Sequence, residues 1–103
     1  MADFVSVMKS SDLTPGKKKS VFVSGKRIMI SNVDGTYYAM DDTCSHAGCG
    51  LAEEGFLSGQ VITCGCHGSQ FDLASGRVMS PPATDPMAIY KVKVEGENVM
   101  VAI

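Results

Sequence analysis

The two histidines of this 103-residue chain each stand beside a cysteine, in Cys44-Ser45-His46 and Cys64-Gly65-Cys66-His67. Taken as donors they read Cys-x-His, seventeen intervening residues, then Cys-x-x-His. Soft thiolate and imidazole ligands, one of each on two tight glycine-containing loops, present four donors to a metal centre from two sides. Structural zinc is the competing use of two cysteines and two histidines. Its usual order, however, puts a cysteine pair ahead of a histidine pair, whereas here each loop is mixed. Cysteines and histidines simply buried in a core are the plainest alternative. With both histidines serving as ligands, no nucleophile keeps a partnered base, and no glycine-rich nucleotide loop occurs. The chain is therefore expected to carry out no catalysis of its own.

Such loops need a frame. Alternation of period two recurs at Ser20 to Val23, Arg27 to Ile30 and Ile89 to Val94, which predicts short, half-buried strands. Turn chemistry separates them at Ser24-Gly25, Asp34-Gly35, Ser75-Gly76 and Glu95-Gly96-Glu97-Asn98. No segment carries a helical stripe, and Ser10 to Leu13 suffices for one capped turn. The expected fold is all-β, an antiparallel sandwich or barrel, in a single domain over residues 1–103. Ile28, Ile30, Val92, Val94, Val99 and Val101 are expected in its core, with the methionines as gap-fillers. Two stretches break the pattern. Residues 42–70 hold all four cysteines, both histidines and six of the eleven glycines, poor material for packed strands, so about 42–72 reads as an inserted site. In about 80–86, three prolines stiffen a loop and exclude strand pairing, as a rigid lid or spacer would.

Composition narrows the function. Hydrophobic residues make up 45% and charged residues 19%, which indicates a globular chain. A net charge of −2 gives no footprint for nucleic acid, and Lys17-Lys18-Lys19 reads as a solvated turn. Asp41, Asp42, Glu53 and Glu54 offer either an acidic rim that steers partners or a plain solvated face. No run approaches the ~18 apolar residues of a membrane span, and the first residues lack a leader pattern. A cytoplasmic location is expected, or a periplasmic or other oxidising compartment if a leader has been removed.

Cys44-x-His46 and Cys64-x-x-His67 resemble the signature of Rieske-type proteins. The likeness extends through Glu54 to Ile62, similar to a short hairpin of the Rieske ferredoxins in ring-hydroxylating oxygenase systems. It continues through Phe71 to Gly76, the proline loop and the closing run from Tyr90 to Val101. The resemblance implies one [2Fe–2S] cluster, with Cys44 and Cys64 on one iron and His46 and His67 on the other. It implies a soluble, monomeric one-electron carrier with a reductase as donor and an oxygenase-like enzyme as acceptor. Neutral imidazoles leave such a cluster less negative, hence easier to reduce than an all-cysteine one.

Cys49 and Cys66 depart from the oxygenase ferredoxins. Higher-potential Rieske proteins carry such a pair as a disulfide, so the resemblance implies a Cys49–Cys66 bridge, two free thiols being the alternative in a reducing cytosol. The pair also favours a second reading, a Rieske subunit or carrier of a respiratory, arsenite-oxidase-like or nitrite-reductase complex. In the higher-potential proteins a serine at the Ser69 position and a tyrosine at the Phe71 position donate hydrogen bonds to cluster or cysteine sulfur. This chain keeps the first donor and lacks the second, which implies an intermediate potential. Gly48, Gly50, Gly65 and Gly68 would let the backbone approach the cluster, and Pro81-Pro82 would cover it from a third side.

Overall fold

A computed structural model describes residues 4–23, 25–43, 50–65, 68–80 and 86–102. The elements in chain order are β1 (Phe4–Lys9), a 3-10 turn (Ser10–Asp12), β2 (Lys18–Val23), β3 (Lys26–Val33), β4 (Thr36–Asp41) and α1 (Leu51–Glu54). There follow β5 (Gly55–Ser58), β6 (Val61–Cys64), β7 (Gln70–Asp72), β8 (Val78–Ser80), β9 (Ile89–Tyr90), β10 (Val92–Glu95) and β11 (Asn98–Ala102). They form three antiparallel sheets rather than a closed barrel, in the orders β1-β11-β10, β2-β3-β4-β9 and β5-β6-β7-β8.

Hairpin chemistry explains most of the pairing. Asp34 and Gly35 both take positive φ, 52° and 91°, between the paired residues Val33 and Thr36. That is the backbone of a two-residue turn whose twist matches the strands it joins. The Asn32 side chain secures the turn by accepting the Gly35 N–H (2.9 Å) and donating to the Leu13 carbonyl (2.8 Å).

The sheet of β2-β3-β4-β9 is the middle layer. On one side Ile28, Ile30 and Ala39 join Val99 and Val101 in one apolar cluster; on the other Met29 and Met40 join Leu51, Ile62, Phe71 and Leu73 in a second. The expected half-burial of β3 is thereby corrected, since Ile28 to Asn32 are all buried, alternate side chains serving opposite layers.

Other expectations also change. The alternating run Ile89 to Val94 is two strands, not one. Ile89 and Tyr90 pair with β4, and beyond Lys91 the chain crosses to pair with β11. At that sheet's edge Val94 is 47% exposed and leaves the core, while Met79, 56% exposed, fills no gap. The turn at Ser10 lacks a side-chain cap, its preceding residue being Lys9. Residues 42–70, expected to be no core material, contribute β5, β6, α1 and one apolar cluster through Leu51, Ile62 and Cys64. Among the described residues no helix is long and apolar enough to cross a membrane.

Tyr90 fastens β9 to the end of β4 by donating to Asp41 Oδ1 at 2.6 Å. Burial pushes its phenol up to about 12, and the hydrogen bond to Asp41 and that carboxylate's charge act the same way. Below about pH 10 the phenol is protonated in both folded and unfolded chains, and the contribution is complete. Between about pH 10 and 12 the unfolded phenol ionises while the folded one keeps its proton, so stability falls. Denaturant titration is expected to show the stability difference between wild type and Tyr90→Phe shrinking over that window. The loss should stay below about 1 kcal/mol because water screens the half-buried pair. A pH-independent difference would show that the hydrogen bond contributes nothing specific.

Candidate functional site

Two loops flank α1, one at its start and one against its last residue, and each has a hydrogen-bonded neck. The first runs from Asp42 to Leu51. Thr43 and Gly50 form an antiparallel bridge, and the Leu51 N–H donates to the Asp42 carbonyl at 2.7 Å. The second runs from Cys64 to Ser69. The Cys64 N–H donates to the Ser69 carbonyl (2.7 Å), and the Gly68 N–H donates to the Cys64 carbonyl (2.9 Å), with Gly68 at φ 80°.

Of the four candidate ligands, Cys64 lies within the described residues. It ends β6, and its residue is 1% exposed, set in the apolar cluster of Leu51, Ile62, Phe71 and Met87. Ser69 is fully buried at the far side of the same neck. Phe71 is fully buried too, paired with Ile62 in the floor beneath the loops. Cys44, His46, Gly48, Cys49, Cys66, His67, Pro81 and Pro82 lie outside the described residues. The proline loop is anchored on either side of them: Ser80 pairs with Gln70, and the Met87 N–H donates to the Gly76 carbonyl at 2.8 Å.

Gly65 follows Cys64 directly, and a Cβ there would land on the Glu54 carbonyl oxygen, inside van der Waals contact. The second neck thus lies against the last residue of α1, an approach open only to glycine. Asp42 holds the opposite end of that helix. It was an acidic-rim candidate, but its side chain is fully buried: Oδ1 accepts the Ala52 N–H (2.8 Å) and Oδ2 lies 2.8 Å from Arg27 Nε. The rim reading therefore fails for Asp42, because a carboxylate with no exposed surface, turned toward Ala52 and Arg27, meets no docking partner. Sequence reasoning missed Arg27, Asp42 and α1 as a unit. Its one available signal was an acid immediately ahead of the first loop, with Leu51-Ala52-Glu53-Glu54 after it.

Residues 3–99 match the sequence model of the Rieske [2Fe-2S] domain. The chain belongs to the Rieske [2Fe-2S] domain family. Similarity to individual relatives spans nearly all of it. A biphenyl dioxygenase ferredoxin subunit from Pseudomonas sp. (strain KKS102) is 34% identical over 98 residues, covering 95% of this chain and 90% of that one. The solved ferredoxin of carbazole 1,9a-dioxygenase from Nocardioides aromaticivorans IC177 superposes with a TM-score of 0.91 at 30% identity, covering 96% of both chains. A chain in a complex of reduced oxygenase and oxidised ferredoxin of carbazole 1,9a-dioxygenase gives a TM-score of 0.90 at 35% identity, covering 96% of this chain and 92% of that one.

The cofactor of this Rieske domain is a [2Fe–2S] cluster. The described part of the site fits it. Cys64 places a soft sulfur donor, 1% exposed, at a loop neck above an apolar floor, where a metal bound to it would be shielded from bulk water. That floor keeps water from the sulfur side, which sets the local dielectric.

Proposed function

We propose that this chain is the one-electron carrier of an aromatic-ring dioxygenase system, taking electrons from a reductase and passing them to the oxygenase. The observation that carries the reading is its end-to-end similarity to ferredoxin components, 95% of this chain against 90% of the biphenyl relative. Its likeness to a ferredoxin solved together with its oxygenase gives the partner class. We place the carrier in the cytoplasm, where it would meet such enzymes.

In this reading Cys44 and Cys64 hold one iron, and His46 and His67 hold the other. When bound, the cluster supplies a single-electron couple in the Rieske range, roughly −150 to +300 mV. The chain's own residues do the rest. The necks at Asp42–Leu51 and Cys64–Ser69 pin the residues where each loop begins and ends, while Leu51, Ile62 and Phe71 pack with Cys64 in a water-excluding apolar cluster. Phe71 supplies no hydroxyl, so one of the two side-chain donors that raise Rieske potentials is absent.

The purified protein is expected to take up one electron per chain reversibly. Its midpoint should lie between those of oxygenase ferredoxins and those of cytochrome bc complexes. A midpoint at the bottom of the Rieske range would defeat that placement, and an irreversible or absent uptake would defeat the carrier function. The second reading, a carrier of a respiratory or inorganic-oxidation complex, rests on the Cys49 and Cys66 pair. A midpoint at the top of the range would favour it.

A further inference from the structure

The strongest unassigned feature is the buried carboxylate at the mouth of the first loop. Asp42 makes four links. Its N–H donates to the Arg27 carbonyl (3.1 Å), its carbonyl accepts from Leu51 (2.7 Å), its Oδ1 accepts from Ala52 (2.8 Å), and its Oδ2 pairs with Arg27 Nε (2.8 Å). A Cβ on Gly50 would come within 3.3 Å of Oδ2, so the loop's return strand lies directly against the carboxylate. Arg27 is itself steadied by Glu53, whose Oε1 lies 3.5 Å from Nη2. The amine of Lys18 ties the Ala52 carbonyl to β2 at 2.8 Å.

Burying a carboxylate is costly unless it has partners: Oδ1 accepts a hydrogen bond from Ala52, and Oδ2, which accepts none, is held by its close approach to the Arg27 guanidinium. Here the engaged groups are the start of α1 and the strand beside the first loop. The other end of α1 lies against Gly65, next to Cys64. One helical turn therefore touches both necks, with its start set by Asp42.

We propose that Asp42, gripped by Arg27, is a positioning residue for the cluster, setting through α1 the separation of the two ligand loops. The proposal rests on the ligand assignment given above. Its consequence is that disturbing Asp42 loosens the metal more than it loosens the fold.

The test compares iron-loaded wild type, Asp42→Ala, Asp42→Asn, Arg27→Lys and Val99→Ala, the last buried in the other apolar cluster as a control for general destabilisation. Iron release to a chelator is followed below the melting range, with the EPR spectrum of the reduced protein recorded in parallel. Asp42→Ala is expected to release iron about tenfold faster than wild type, with an altered spectrum, and Val99→Ala at the wild-type rate. Asp42→Asn keeps the acceptor for Ala52 and should fall between; Arg27→Lys keeps the positive charge beside Asp42 and should stay close to the wild-type rate. If Asp42→Ala does not fold, Asp42→Asn against Val99→Ala carries the comparison. Equal release from the Asp42 variants and Val99→Ala, with unchanged spectra, would overturn the positioning role while leaving the carrier function intact. Wild-type protein that binds no iron would overturn both.

Discussion

Replacing His46 or His67 by alanine is expected to give protein that purifies without its cluster. In the proposed ligand set each substitution would remove one of the two imidazole donors, which alanine cannot replace. A solvent ligand taking that role would lack the pre-positioning of a loop-borne donor, so the cluster would be lost during purification. Because the chain has only these two histidines, no third imidazole can substitute. The frame should survive, since its two apolar clusters are built from strand residues such as Ile28, Ile30, Ile62 and Val101. Iron content, visible absorbance and far-UV circular dichroism check the two halves of the expectation. A folded His67→Ala protein that keeps its full iron content would show that the histidine is no ligand.

Gly65→Ala should be the most damaging single methyl group added to the described residues around the site. The new Cβ would occupy the place of the Glu54 carbonyl oxygen, and that oxygen belongs to backbone that cannot rotate aside. Either the second neck lifts from α1 or the helix end shifts. Overpacking of this kind costs about 3 kcal/mol, which in a domain of this size corresponds to a melting point lower by roughly 12 °C or more. Gly68→Ala is the comparison. Gly68 has φ 80° but nothing within 4 Å of its added Cβ, so it should lose only the roughly 1–2 kcal/mol of a left-handed alanine. Thermal melts that place Gly65→Ala at or above Gly68→Ala would contradict the close packing of α1 on the second loop.

The hairpins were legible because their signals are local. Asp34-Gly35 demands a two-residue turn, and the Glu54 to Ile62 segment forms the β5–β6 hairpin that its resemblance to Rieske ferredoxins implied. What escaped depends on contacts between distant residues. Ile28, Met29 and Ile30 look like part of an alternating strand, but burial on both faces requires knowing that two sheets flank β3. The break at Lys91 leaves no mark in the apolar pattern, because both β9 and β10 keep the same alternation while changing sheets. α1 is four residues long, too short for any 3.6-residue periodicity to register. Asp42 acts on a helix that begins nine positions later, whereas capping rules look only at adjacent residues, so an interior anchor passed for a surface charge.

The most direct check on the whole account is elemental: iron, zinc and acid-labile sulfide measured per chain on freshly purified protein. Two irons and two sulfides, with zinc at background, is the outcome a [2Fe–2S] cluster requires. Stoichiometric zinc with no sulfide would mean that the paired cysteine and histidine loops serve a structural ion, and that this protein moves no electrons.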